Sequence, residues 1–186
     1  MATLKLLHDR LLREVERRGV EEVVGGMRKV LSRAEVAARA RIRQMNDGIF
    51  RAVIFNDDDM GGSLGLTRIP VTIFKEDDEL IVLVQGASPE NRLGPMHATW
   101  HLVRAATAVY FFSYFFRGLA PNAGLLQPIK YLVEGPSIAN SSYDVAHGMG
   151  TSIAACVVNG AHVLGSKMQF ASPYRDAVQA PHSRNQ

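Results

Sequence analysis

Residues 66–84 read LTRIPVTIFKEDDELIVLV. Between 69 and 74, apolar residues alternate with other types, which is the period of a β-strand that buries one face, and a second β-forming run covers 80–84. The acidic tetrad at 76–79 separates the two runs and predicts a hairpin loop whose carboxylates are solvated. With a further β-rich run at 49–55, the hairpin predicts a small and mostly antiparallel sheet.

Helical periodicity surrounds these strands. Apolar residues recur every three or four positions through 4–15 and again through 20–42, with Gly19 between the two runs. Asn46-Asp47-Gly48 predicts the end of the second helix, because Gly and Asn accept the left-handed backbone of a terminating turn. Two helices therefore precede the sheet.

The second half of the chain predicts a long helix at about 96–117, a short strand at 129–133 and a last helix at 151–164. The apolar centre of the long helix is shorter than the roughly 20 residues of a membrane span, so it predicts a buried core helix. The fold class is α+β. We divide it into an N-terminal helical segment at 1–46, an α+β core at 47–170 and a flexible tail at 171–186.

Composition indicates an ordinary globular protein, with 47% hydrophobic and 21% charged residues. Cys156 is the only cysteine, which excludes an intrachain disulfide, and the N-terminus has no signal-peptide core, so we expect a cytoplasmic protein. The net charge is +3, and the basic residues of the first fifty positions are interleaved with acids. This pattern indicates a solvated helical face, and we expect neither a nucleic-acid nor a membrane partner.

Two patterns are candidates for metal binding. His97 and His101 stand four apart, so a helix would project both imidazoles from one face, although ordinary hydrogen-bonded or surface histidines fit the same spacing. Asp57 and Asp59 belong to the run Asn56-Asp57-Asp58-Asp59, whose oxygen ligands suit magnesium or calcium. A turn with solvated acids is the alternative for this run.

Two glycine-containing segments could carry chemistry. Gly148-Met149-Gly150-Thr151-Ser152 leads into the last helix, where exposed N–H groups could hold a carboxylate, carbonate or phosphate; a tight packing turn is the alternative. His147 beside it is a candidate acid or base, or a polar core residue. Residues 61–65 fit Gly-x-Ser-x-Gly, but a strand follows instead of a helix, so we interpret them as a flexible loop.

The chain contains no Walker loop, no Rossmann fingerprint and no Cys-x-x-Cys motif. Any nucleotide or cofactor chemistry would therefore be supplied by another polypeptide, and we expect no cofactor in this chain.

A series of segments resembles the hydantoinase B family, which includes the B half of oxoprolinases and the α subunits of ATP-dependent acetone and acetophenone carboxylases. The resemblance depends on their order between about 41 and 164. The segments are Arg41-Ile42-Arg43 with Asp47-Gly48, Asn56-Asp57-Asp58-Asp59, the strand pair ending at Gly86, Ser88-Pro89 with Gly94-Pro95, Pro121-Asn122-Ala123-Gly124 with Gln127-Pro128-Ile129, and Glu134-Gly135-Pro136-Ser137.

Two departures accompany the resemblance. Members of the family are several times longer, and the histidine-rich, metal-binding region ahead of these motifs has no counterpart here, so the chain resembles an internal or truncated segment. The stretch that is often Gly-Gly-Asn in hydantoinase-like members reads Ala146-His147-Gly148-Met149-Gly150, which favours the carboxylase branch.

The resemblance implies a hydantoinase B-like part of an ATP-dependent multi-subunit enzyme for hydantoin- or oxoproline-type amide hydrolysis or ketone carboxylation. A hydantoinase A-like ATP-binding subunit would phosphorylate a carbonyl or lactam oxygen, and the remainder of the hydantoinase B-like chain would complete the site. ATP with magnesium and a divalent transition metal are implied in the full complex. Asn122, Gly148, Gly150 and Thr151 are the expected anion or substrate contacts.

Two other functions remain open from the residues. One is a small metal-dependent hydrolase that uses His97 and His101. The other is a non-catalytic interaction fragment whose exposed apolar surfaces make it associate.

Overall fold

The structure is a computed structural model, and it describes residues 2–57, 65–142 and 144–170. The predicted tail at 171–186, Asp59 and the serine of the Gly-x-Ser-x-Gly segment lie outside the described residues.

The described residues form four α-helices and four strands, which confirms the α+β class. The helices are α1 (Ala2–Arg18), α2 (Val20–Arg43), α3 (Trp100–Tyr110) and α4 (Gly150–Phe170), and the strands are β1 (Gly48–Asn56), β2 (Thr67–Glu76), β3 (Glu79–Val84) and β4 (Ile129–Val133). A π-helical turn at Phe111–Phe115 extends α3, and a 3-10 turn at Ala123–Leu126 precedes β4. In this part of the chain every helix is too short or too polar to cross a bilayer.

The four strands form one sheet in the order β1-β2-β3-β4. The first three are antiparallel, and β4 runs parallel to β3. The mostly antiparallel sheet predicted from the sequence is confirmed. This topology brings the ends of β1, β3 and β4 and the start of β2 to the same side of the sheet, which we call the loop edge. The opposite side, with the tight turn between β2 and β3, is the hairpin edge.

The hydrophobic core lies between the helices and one face of the sheet, which we call the covered face. Ile69, Val71 and Ile73 of β2 are completely buried there, as the alternation predicted. α4 approaches the sheet closely at Gly160, where an added Cβ would lie 2.8 Å from Val71 Cγ2. The helix can therefore pack directly on β2 because this position has no side chain.

The predicted start of the long helix was wrong. The sequence placed it near Met96, but α3 begins at Trp100. Backbone hydrogen bonds join Ala98 to the connection between β4 and α4: its N–H donates to Ile138 O at 2.9 Å, and its carbonyl accepts from Ser141 N at 3.0 Å. These bonds hold the segment outside the helix, so His97 and His101 do not lie one turn apart on a common helical face.

The N-terminal helices have the predicted periodicity, and much of their apolar face is exposed. Leu4, Leu7 and Leu11 of α1 are 69%, 64% and 41% exposed, and Val20 at the start of α2 is 60% exposed. α2 becomes buried only toward its C-terminal end, at Ala38 and Ile42. Periodicity therefore identified an amphipathic face without indicating what covers it.

The acidic hairpin turn is part of an ion-pair network. Asp78 binds both Arg39 and Arg43 of α2, and only 13% of its side chain is exposed. Glu79 accepts from Lys130 of β4 at 2.6 Å, and this hydrogen bond is the largest factor that lowers the pKa of Glu79. The hairpin is confirmed, but full solvation of its carboxylates is wrong for Asp78, which ties the turn to α2.

A buried lysine marks the same edge. Lys75 points to the covered face, its side chain is 2% exposed, and its Nζ lies 2.6 Å from Asp47 Oδ1 in the connection between α2 and β1. The hydrogen bond from Lys75 lowers the pKa of the Asp47 carboxyl, and it outweighs the desolvation that raises it. The charge on Lys75 is thereby neutralised at the end of the core.

We expect Asp47→Asn to lower the urea midpoint of unfolding at pH 7, because the buried Lys75 ammonium loses its carboxylate partner, and by less than for a fully buried pair because Asp47 is largely exposed. A carboxyl with a lowered folded pKa contributes stability above its unfolded pKa, near 3.9, and loses it as pH falls through the folded value. Urea unfolding of both proteins at pH 7 and pH 3 should show the difference shrinking at pH 3. An equal difference at both pH values would contradict this assignment.

Candidate functional site

The loop edge brings together most of the residues that the sequence marked for chemistry. The loop after β1 begins with Asp57, the loop after β3 contains His97, and the loop after β4 contains His147. α4 begins at the end of that last loop, at Gly150. Residues far apart in the sequence therefore meet on one side of the sheet, and this is the candidate site.

A cleft of about 290 Å³ opens at this edge. It is lined by Gly65, Leu66, Thr67, Ser88, Pro89, Glu90, Asn91, Arg92 and Ile138. The Glu90 carboxylate accepts from the backbone N–H and the hydroxyl of Ser142, so the neighbouring loop holds it in place. The Arg92 side chain is exposed and forms no ion pair with a described residue. Its guanidinium is therefore available to an anionic group in the cleft.

His97 is buried behind the cleft, with 1% of its surface exposed. Its Nε2 accepts from the Asn91 N–H at 3.0 Å, so Nδ1 carries the proton and donates to Ala146 O at 2.8 Å. Both ring nitrogens are thus occupied by backbone groups. His97 links two loops of the site, and in this arrangement it has no free lone pair for a metal ion.

His101 lies apart from this network. It is exposed on α3, and its ring stacks on Trp100 with a centroid distance of 3.9 Å. Within the described ranges, no group of three His, Cys, Asp or Glu side chains is placed to hold a metal ion. The helical geometry on which the predicted metal site of His97 and His101 depended is not present, and Asp57, in the loop after β1 at the same edge, belongs to no such group of ligands among the described residues.

His147 is half-buried beside His97, at a ring centroid distance of 6.4 Å. Its Nε2 lies 2.8 Å from Ser141 Oγ, and Ser141 Oγ lies 3.2 Å from Ala98 O. If the serine hydroxyl donates to Ala98 O, the imidazole donates to Ser141. Sequence reasoning missed Ser141 because no motif surrounds it. An acid or base role for His147 stays a prediction.

The glycine turn before α4 is tightly packed. An added Cβ on Gly150 would lie 2.3 Å from His97 O, whereas one on Gly148 would lie 3.7 Å from Pro95 Cβ. The N–H of Gly150 donates to His147 O at 3.2 Å, and that of Ser152 donates to Met149 O at 3.0 Å. These contacts favour the packing interpretation at Gly150. Anion contacts by Gly148 and Thr151, which are both exposed, stay a prediction.

Asn122 is not part of the loop edge. Its Oδ1 accepts from Gly124 N at 2.8 Å and its Nδ2 donates to Ala120 O at 3.0 Å, so it caps the 3-10 turn before β4. That turn packs on α2, since an added Cβ on Gly124 would lie 2.1 Å from Leu31 O. The structure does not bring Asn122 together with Gly148, Gly150 and Thr151, and its side chain has a structural role.

Comparison with known proteins gives a family match over almost the whole described chain. The family model described as hydantoinase B/oxoprolinase matches residues 1–170. The acetophenone carboxylase delta subunit of Aromatoleum aromaticum (strain DSM 19018 / LMG 30748 / EbN1) is 28% identical over 171 residues. This match covers 91% of the chain and 25% of the relative, so the chain spans about a quarter of the length of that curated protein.

Two solved structures share the fold. An ATP-dependent caprolactamase from Pseudomonas jessenii has a TM-score of 0.66 at 19% identity, over 85% of this chain and 28% of its own. A nucleotide-free acetone carboxylase also has a TM-score of 0.66, at 15% identity, over 75% of this chain and 20% of its own. At these identities the likeness concerns the fold alone, and each neighbour has this unit within a much longer chain.

Proposed function

Since this chain belongs to the hydantoinase B/oxoprolinase family, we propose that it is one part of a hydantoinase B-type subunit in an ATP-dependent multi-subunit enzyme. The reaction would open a cyclic amide or carboxylate a ketone, and the chain would be inactive alone. The observation that carries the proposal is the family match over residues 1–170. It also confirms the family predicted from the order of the sequence motifs.

The loop edge would form part of the wall of the reaction chamber. The phosphoryl group on a phosphorylated carbonyl or lactam oxygen is anionic, and the guanidinium of Arg92 at the cleft, which pairs with no acid of the described residues, complements that charge. Glu90, His97 and His147 would hold the surrounding loops through the hydrogen bonds described above. These side chains would position the wall and exclude water from the intermediate.

Two further components would complete the enzyme. A hydantoinase A-like subunit would bind ATP with magnesium, in keeping with the absence of a nucleotide motif in this sequence. The rest of the hydantoinase B-like unit would complete the chamber, because the matched relative is about four times as long as its matched region. A divalent transition metal would bind in the completed enzyme.

Carboxylation is the reaction that we favour. The curated relative is named as a carboxylase subunit. The segment 146–150 lacks the Gly-Gly-Asn of hydantoinase-like members, which also favours the carboxylase branch. Cyclic-amide hydrolysis is the alternative within the family, and an ATP-dependent caprolactamase shares the fold.

The metal-dependent hydrolase that would use His97 and His101 is not favoured, because both nitrogens of His97 are bound to backbone groups. A purely non-catalytic interaction fragment has some support from the exposed apolar residues of α1. The proposed multi-subunit enzyme also explains why the apolar residues of α1 are exposed, since they would contact other parts of the enzyme.

The test combines the full chain with the A. aromaticum delta subunit shortened by its matched quarter, together with the other acetophenone carboxylase subunits. ATP- and bicarbonate-dependent consumption of acetophenone or acetone would be measured, and ATP-dependent opening of caprolactam in parallel. We expect turnover only in the complete mixture. Turnover of a ketone or lactam by the isolated chain would contradict the proposal.

In that mixture, Arg92→Ala should lower kcat/KM by about tenfold or more, the effect of losing one charge-assisted hydrogen bond. Arg33→Ala is the matched control, since Arg33 is an exposed arginine of α2 far along the chain from the cleft. Equal activities of the two variants would remove Arg92 from the proposed site without affecting the family assignment.

A further inference from the structure

The second face of the sheet, opposite the covered face, carries many apolar side chains, and none of them belongs to the core that the described residues form. We call it the open face. Its apolar side chains are Ile49, Val53, Phe55, Pro70, Phe74, Ile81, Leu83 and Leu132, and the strand register places them side by side across all four strands.

The two faces of the sheet differ sharply in burial. On the covered face, Val71, Ile73 and Val82 are completely buried. On the open face, Phe55 and Leu132 are 55% and 57% exposed. None of the eight apolar residues of the open face belongs to the core cluster of the described residues, or packs against it.

The open face is large enough for a protein contact. Four strands about 4.8 Å apart, over about six residues of 3.4 Å each, give a projected area of roughly 400 Å². This area includes the polar side chains of Arg51 and Thr72, and apolar patches of a few hundred Å² are often interaction sites.

Arg51 places a positive charge within the open face. It lies on the exposed side of β1, in the same cross-strand row as Thr72, Leu83 and Leu132. Among the residues that the structure describes, no hydrogen-bond or ion-pair partner contacts its guanidinium. A protein that covers this face would desolvate the charge, so it must bring a carboxylate opposite Arg51.

Two copies stacked through their open faces would not meet this requirement. The acids of the open face, Glu76 and Glu79, lie at the hairpin edge, and Glu79 is already paired with Lys130 and Arg39. If a two-fold axis related the two faces at the row of Arg51, that arginine would lie opposite Arg51 or Leu132 of the other copy. The carboxylate therefore has to come from a surface other than this open face.

We propose that the open face binds the part of the hydantoinase B fold that lies outside the quarter of the relative matched by this chain. This inference rests on the proposed function and adds the surface of contact. The bound surface is apolar, with an Asp or Glu placed opposite Arg51. The matched relative, of which this chain spans a quarter, is a chain in which such a layer would be covalently attached.

The test co-expresses the tagged full chain with the A. aromaticum delta subunit from which the matched quarter is deleted. We expect a 1:1 complex. Leu132→Asp should weaken it by 100-fold or more, because it buries a charge in the apolar contact, and Arg51→Glu by about tenfold or more. Val109→Asp on α3 is the matched control for Leu132→Asp, since Val109 is also an exposed apolar residue, at 64%, but lies in the helical layer. Circular-dichroism melting would verify that all variants fold.

The outcomes separate the surface from the function. A complex that is insensitive to Leu132→Asp and Arg51→Glu would overturn the open face as the interface and leave the proposed function standing. A complex that depends on both residues but gives no turnover with the remaining subunits would support the interface and count against the function. Absence of any complex would overturn the interface, and so would sedimentation of the chain alone as a dimer that Leu132→Asp dissociates.

Discussion

Gly150→Ala is expected to destabilise the protein by about 2–4 kcal/mol. The added methyl would lie 2.3 Å from His97 O, a backbone atom that cannot rotate away. Overpacking of this kind costs about 1–3 kcal/mol or more, and the better helix propensity of Ala offsets it by at most about 1 kcal/mol. Urea unfolding monitored by circular dichroism would measure the change.

Gly148→Ala is the matched control from the same turn. Its added methyl would meet Pro95 Cβ at 3.7 Å, an ordinary contact, so we expect a change within about 0.5 kcal/mol. Equal destabilisation by both substitutions would contradict the packing role of Gly150. A stable Gly148→Ala protein that loses activity in the assembled enzyme would instead support an anion contact by this turn.

His97→Ala is expected to cost about 3 kcal/mol. The substitution removes a fully buried ring and leaves the Asn91 N–H and the Ala146 carbonyl without partners, each at about 1–3 kcal/mol before water enters. Because these groups belong to the loops after β3 and β4, hydrogen exchange should increase in both loops. Faster exchange in both loops would show that His97 links them, whereas faster exchange in one loop alone would indicate a local defect.

His101→Ala is the control for this histidine. Its side chain is exposed on α3, so the expected change in stability is within about 0.5 kcal/mol. Zinc and manganese content, measured on both variants and the parent, separates the structural role from a metal site. Stoichiometric metal lost in both variants would contradict the structural role of His97.

Much of the fold follows from local patterns. The alternation in 69–74 and the apolar run at 80–84 located β2 and β3, and the acidic tetrad located their turn. Strand periodicity is a property of neighbouring residues, so a single sequence reveals it. The order of the motifs also identified the family, because the motifs are spread over most of the chain.

The burial of α1 could not be predicted in the same way. Leu4, Leu7 and Leu11 form a helical apolar stripe, but the stripe does not say whether this chain or another one covers it. The same is true of the sheet. Apolar residues occur on both faces of β2 and β3, and only the position of α4 at Gly160 shows which face holds the core.

Spacing along the chain was enough to predict the strands, the hairpin, the family and the approximate positions of the helices. The role of His97, whose partners lie 6 and 49 positions away, and the separation of Asn122 from the loop edge are visible only in the folded chain. The same holds for the sheet face that remains open. Hydrogen bonds between loops and contacts between layers depend on how distant segments meet, and periodicity does not record this.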